Sequence, residues 1–175
     1  MHGIIFASLY DYVRARLGHD GTDEIFEHGF YSMSRAHPDE EFAALVGRTA
    51  DRLGVDRDDL LRDFGTFTAE ETFARLYPAF FEIAGGCRQF LLTVEDRIHE
   101  LVRSTVPDAR PPALAVREAG GDVLEIDYSS PRRLCRLLEG LVLGTGRRYG
   151  ERVTIEEVEC GRDGGGTCRF RVELA

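Results

Sequence analysis

Apolar side chains at Ile5, Leu9, Val13 and Leu17 recur every fourth residue and stop at Gly18. That spacing predicts a helix over residues 3–17 with one buried face. A second helical segment opens near Thr22-Asp23 and carries Ile25, Phe26, Phe30 and Met33. Pro38-Asp39-Glu40-Glu41 predicts the start of a third, with Phe42, Leu45, Val46, Ala50 and Leu53 on one face and Gly54 as its stop. A proline followed by acids suits the positive end of a helix dipole. Asp56 is placed to cap a short helix through Leu60 and Leu61. Thr68-Ala69-Glu70-Glu71 reads as a capping box for another, running toward Tyr77-Pro78. A last long helix holds Phe90, Leu91, Val94, Ile98, Leu101 and Val102 and ends before Pro107.

The period then changes. Ala113–Val116 and Val123–Tyr128 flank Gly120-Gly121, the signature of a β-hairpin. A helix follows Pro131 with Leu134, Leu137, Leu138, Leu141 and Val142 inward. Val153-Thr154-Ile155 and the alternation Cys168, Phe170, Val172, Leu174 form a second strand pair around residues 161–166. No helix follows Gly164-Gly165-Gly166, so this is a hairpin connection and not a phosphate cradle. The expected class is α+β: a helical N-terminal lobe, then a four-stranded antiparallel sheet with one inserted helix.

Composition narrows the function. The chain has 175 residues, 43% hydrophobic and 30% charged, with 11 Phe and 6 Tyr to fill a core. That is the make-up of one soluble globular domain. A net charge of −9 and a pI near 5.1 argue against nucleic acid or an anionic membrane as partner. All 22 basic residues are arginines, which excludes a Schiff-base lysine and a Walker-type loop. The apolar run Ile4 to Tyr10 lacks a preceding cationic stretch and is too short for a signal core or a membrane span, so a cytoplasmic location is expected.

The chemistry-bearing residues are few. His99 lies on the long helix beside Ile98 and Val102, at the margin of its apolar face. An ordinary half-buried surface histidine is the default for such a residue. His2, His19, His28 and His37 keep that reading, each near a helix end or loop. Pro111-Pro112 follows, its second proline thirteen residues past His99; by itself it only separates helix from strand. Tyr128-Ser129-Ser130-Pro131-Arg132 comes next and by itself caps a helix. A guanidinium with two hydroxyls beside it also grips a carboxylate well.

In this order, the three pieces resemble the haem pocket of H-NOX domains, the haem-based nitric oxide/oxygen sensors. Met1-His2-Gly3-Ile4-Ile5 and Leu137-Leu138-Glu139-Gly140-Leu141 extend the resemblance over essentially the whole chain. It implies a single haem domain, with residues 1 to about 62 as distal lobe and about 63 to 175 as proximal lobe carrying the sheet. It further implies ferrous haem b, with His99 on the iron, Tyr128, Ser130 and Arg132 on the propionates, and Pro112 pressed against the ring. Leu137 stands where oxygen-binding members place a tyrosine, with Ile5, Phe73 and Leu141 as the rest of the distal wall. None of these four carries a proton donor, which bound O₂ needs far more than NO or CO does. The implied function is a non-enzymatic, NO-selective sensor that also takes CO. It would regulate a separate signalling protein such as a histidine kinase or a cyclic-di-GMP enzyme.

Four cysteines in a cytoplasmic chain suggest metal or redox chemistry before structural disulfides. Cys160 and Cys168 bracket the last hairpin, where they can face each other across paired strands, and Cys135 begins the preceding helix. Some H-NOX members hold zinc here with three cysteines and one histidine. Glu157 stands in this chain where that histidine would be, and a carboxylate completes tetrahedral zinc less commonly than imidazole. Three small buried residues, or a redox-sensitive thiol group, is the other reading. Cys87 is taken as a bystander in a Gly-Gly-Cys loop. The stretch Tyr128–Cys168 also resembles haem-free 4-vinyl-reductase-type domains, which have no use for His99 and Pro112. A peroxidase-like haem enzyme would need distal acid–base groups, and a pure interaction module would leave the His–Pro–Tyr–Ser–Arg set unexplained.

Overall fold

The computed structural model of the chain describes residues 1–27, 29, 31–161 and 166–175. His28, Phe30, Gly164 and Gly165, all weighed above, lie outside the described residues. The first two expected helices are one helix, α1 (Gly3–Phe26), bent at Gly18, whose φ of 72° and ψ of −166° break the helical path. Helix α2 (Asp39–Leu53) starts after Pro38, carries three acids in its first turn and stops at Gly54 in the left-handed region, as its sequence predicts. Asp56 caps α3 (Arg57–Phe67), its carboxylate accepting from the Asp58 amide at 2.7 Å.

The capping box at Thr68 is a correction. No helix begins there: α3 runs on through a π-helical stretch over Thr68–Phe73 into α4 (Ala74–Leu76). Thr68 is buried, and its hydroxyl makes no hydrogen bond among the described residues. Pro78 then opens a short helix absent from the sequence reading, α5 (Pro78–Ala84). The long helix expected next comprises α6 (Cys87–Thr93), a second π-helical stretch over Val94–His99, and α7 (Glu100–Thr105).

Strands β1 (Ala113–Glu118) and β2 (Val123–Ser129) form the predicted hairpin, with Leu114 opposite Tyr128. After α8 (Cys135–Tyr149), β3 (Val153–Glu159) and β4 (Thr167–Leu174) complete an antiparallel sheet in the order β1-β2-β4-β3. Leu124, Ile126 and Tyr128 alternate inward on β2, as Cys168, Phe170, Val172 and Leu174 do on β4.

Helix α8 joins two cores. Leu137 enters the N-terminal cluster of Phe6, Leu9, Val13, Leu45, Leu60 and Phe64. Leu138 and Val142 instead pack with Leu124, Ile126, Phe170 and Val172 of the sheet. Its contact with α3 is backbone to backbone, because a side chain at Gly140 would run into the Arg62 carbonyl and one at Gly144 into that of Thr66. Glu139, 5% exposed, is paired with Arg62 at 2.7 Å and with Arg136.

Candidate functional site

Between these lobes lies a cavity whose wall is overwhelmingly apolar. Ile5 reaches it from α1, Phe73 from the end of the first π-helical stretch, and Leu137 and Leu141 from α8. His99 comes from the end of the second such stretch, Pro112 from the segment before β1, and Tyr128 from β2. Ser130 and Arg132 lie on the turn into α8. The fold thus brings to one cavity all the residues that the sequence reading assigned to a cofactor. His2, read there as ordinary, lines the same cavity. Its Nδ1 accepts from the Ile4 amide at 2.9 Å.

The His99 side chain is 15% exposed. Its Nδ1 sits 2.8 Å from Glu95 Oε2, so Nδ1 carries the proton and donates it to the carboxylate. Nε2 is left with its lone pair, the state in which an imidazole binds a metal. Burial pushes the His99 pKa below its ordinary value, against the opposing pull of Glu95 and the Pro112 carbonyl. The neutral ring therefore dominates at neutral pH. Glu95 is itself held: Oε1 accepts from Arg103 Nη2 at 2.8 Å, and Oε2 also accepts from the Leu114 amide at 3.2 Å. Sequence reasoning named no partner for His99, although an acid four residues before it is a visible helical pair.

At the polar end, Arg132 Nε donates to Asp39 Oδ1 at 2.8 Å and Nη1 to the Arg110 carbonyl at 2.6 Å. The Ser130 hydroxyl accepts from the Arg132 amide at 3.2 Å and so fixes the turn. Burial raises the Tyr128 pKa, with the Ser130 hydroxyl pulling the other way, so the phenol stays a donor. A guanidinium, a phenol and a hydroxyl beside an apolar cavity, with one metal-ready imidazole, fit a flat apolar cofactor that bears carboxylates and a metal.

The tyrosines sort themselves by position. Tyr12 donates to Asp63 at 2.8 Å, Tyr149 donates to the Phe81 carbonyl at 2.7 Å, and Tyr10 packs edge-on against Phe26. Tyr77 alone of these lines the cavity, 41% exposed, between Phe73 and Phe80.

A second group forms beside the sheet. Ligand atoms of Cys135, Glu157 and Cys168 lie within 4.8 Å of one another, the two sulfurs 2.6 Å apart. Glu157 also pairs with Arg136 at 3.1 Å. Cys160 is not in that group. It lies one residue past β3, whose last pair with β4 is Glu159 opposite Arg169, so the same register continues toward Cys160 opposite Cys168, and the Gly161 amide donates to Cys168 Sγ at 3.4 Å. Cys87 is the first residue of α6 and fully buried, not a loop residue. Burial, with the charge of Glu151, pushes its thiol up to about 12, which makes it a packing residue.

The family profile described as Haem-NO-binding matches residues 2–157. Among solved structures, the H-NOX protein from S. oneidensis in the Fe(II)NO ligation state is 26% identical, with a TM-score of 0.92 over 100% of this chain and 99% of that one. The H-NOX domain from Shewanella oneidensis in the Fe(II)CO ligation state gives 26%, 0.90, 100% and 99%. The Fe(II) unliganded H-NOX protein from K. algicida, at 24% identity, shares the fold with a TM-score of 0.85 over 100% and 97%. No curated protein matches the chain.

Proposed function

We propose, for a chain that belongs to the haem-NO-binding family of H-NOX gas-sensor domains, that it is an NO-selective sensor acting as one haem domain. The observation that carries the reading is His99, whose Nδ1 is spent on Glu95 while the ring lines an apolar cavity ending in Tyr128, Ser130 and Arg132. Bound ferrous haem would supply an iron able to take NO or CO. His99 Nε2 would hold that iron, and Arg132, Tyr128 and Ser130 its carboxylates. Pro112, with no N–H to strand, would abut the ring. Ile5, Phe73, Leu137 and Leu141 exclude water and offer no hydrogen to a bound gas, which favours NO over O₂. A ligand-dependent difference in how His99 and Pro112 are held would bias one of two arrangements of the helical region and the sheet, the differential contact any switch requires.

The signal would pass to a separate protein, a histidine kinase or a cyclic-di-GMP enzyme, in the cytoplasm. Among the described residues no helix is long and apolar enough to cross a membrane. Ferrous protein should show a five-coordinate Soret band that shifts with NO and ignores air. His99→Ala should lose stable haem, or hold it only with added imidazole. An unchanged spectrum in that variant would remove His99 as the ligand, and no Soret band after haem reconstitution would remove the sensor reading itself.

The convergence of Cys135, Glu157 and Cys168 supports zinc as a second, structural metal. Cys160 is the thiol expected to complete the set, and Arg136 must then give up Glu157. Purified protein should contain about one zinc per chain, and Cys135→Ser should remove it. Equal metal content in the two proteins would dismiss the site.

A further inference from the structure

We propose that Glu95 is a positioning residue that polarises the neutral His99 ring through Nδ1–H, strengthening the bond its Nε2 makes to a metal; this rests on the haem reading. The contact is short and charge-assisted, a neutral ring donating to a carboxylate, with Nδ1 2.8 Å from Oε2 and both side chains largely withdrawn from water. A carboxylate on Nδ1–H draws the proton toward itself, and the lone pair on Nε2 becomes more basic. A backbone carbonyl would do the same more weakly, since hydrogen bonds with an ionised partner are about twice as strong as neutral ones.

Glu95 cannot swing away cheaply. Arg103 of α7 holds one carboxylate oxygen, and the Leu114 amide of β1 shares the other with His99. Arg103 also tempers the effect by taking part of the negative charge. The division is favourable all the same, because Arg103 contacts Oε1 and the ring contacts Oε2. The π-helical stretch Val94–His99 contains both partners, so the extra residue in that turn and the hydrogen bond to the carboxylate fix the ring together. Leu114 lies two residues past Pro112, which ties the ring to the segment proposed to bear on the cofactor.

A merely structural Glu95 would alter stability and nothing at the metal. The test is Glu95→Gln in the haem-loaded protein, an isosteric change that removes the charge and leaves an acceptor. The iron–histidine stretch in the resonance Raman spectrum should move to lower wavenumber, the haem reduction potential should rise, and haem should leave about 10-fold faster. An unchanged stretch and potential overturn the proposal, whatever happens to stability. In haem-free wild-type protein, nitrogen NMR should find His99 neutral with its proton on Nδ1; a proton on Nε2 overturns it as well. Wild-type protein that takes no haem defeats the sensor reading, while the NMR result still decides where Glu95 holds the ring's proton.

Discussion

At the scale of single residues, gas selectivity comes down to where a hydrogen-bond donor can reach the cavity. Leu137 is buried at the first turn of α8 and lines the cavity, so a phenol there has space on one side and a fixed backbone on the other. Leu137→Tyr is expected to give the ferrous protein measurable O₂ affinity by gas titration, with NO binding retained. A variant that still ignores O₂ would mean that Leu137 does not stand over the ligand. The residues proposed as iron ligand and carboxylate grip were legible because each has a distinctive type in a fixed order. Glu95 and His2 were not, for a physical reason: acids and histidines near helix turns are common on solvated faces. Only the fold shows that His2 lines the cavity and that Glu95 spends its carboxylate on the cavity-lining His99, on Arg103 and on the Leu114 amide.

At the scale of elements, helix α8 carries side chains for both cores and can do so only by lying directly on α3. Gly140 and Gly144 permit it, since a Cβ at either position would meet a carbonyl of the partner helix. Gly140→Ala should therefore destabilise the protein by about 1–3 kcal/mol, the usual cost of forcing extra volume into a packed contact. Denaturant unfolding would read this directly, and a loss below about 0.5 kcal/mol would mean that the helices separate easily. The same contact explains a misread signal. Thr68-x-x-Glu71 has the letters of a capping box, but a capping box needs a chain free to begin a helix. Packing against α8 holds the helix continuous and admits one extra residue as a π-helical stretch instead. Hydrophobic period did not reveal the second π-helical stretch, because Phe90, Leu91, Val94, Ile98, Leu101 and Val102 also fit the face of an unbroken α-helix. Strand alternation and the Gly120-Gly121 turn were fully legible, since a period of two leaves no second register for a half-buried sheet.

At the scale of the molecule, α8 and the turn that enters it are tied to the N-terminal helices by charge. Arg62 of α3 reaches Glu139 of α8, Arg136 of α8 reaches Asp58 of α3, and Arg132 reaches Asp39 at the head of α2. The last pair joins the candidate site itself to the N-terminal lobe. Burial alone would raise the Asp39 pKa, but the Arg132 hydrogen bond and charge, with the Met1 ammonium, outweigh it and leave the carboxyl below its ordinary value. A depressed carboxylate contributes stability that is full above its unfolded pKa of about 3.9 and is lost as pH falls through the lower folded value. Asp39 is 42% exposed, so water screens the pair and its worth is that of a surface ion pair, up to about 1 kcal/mol. Asp39→Asn should then lower the melting temperature at pH 7 by up to about 2–4 °C. That gap should be constant above about pH 4 and narrow as pH falls from about 4 through the lower folded value, where the wild type comes to protonate Asp39 itself. A gap that stays constant over that range would show that Asp39 acts through packing or helix capping, not as the ionic tie between the lobes.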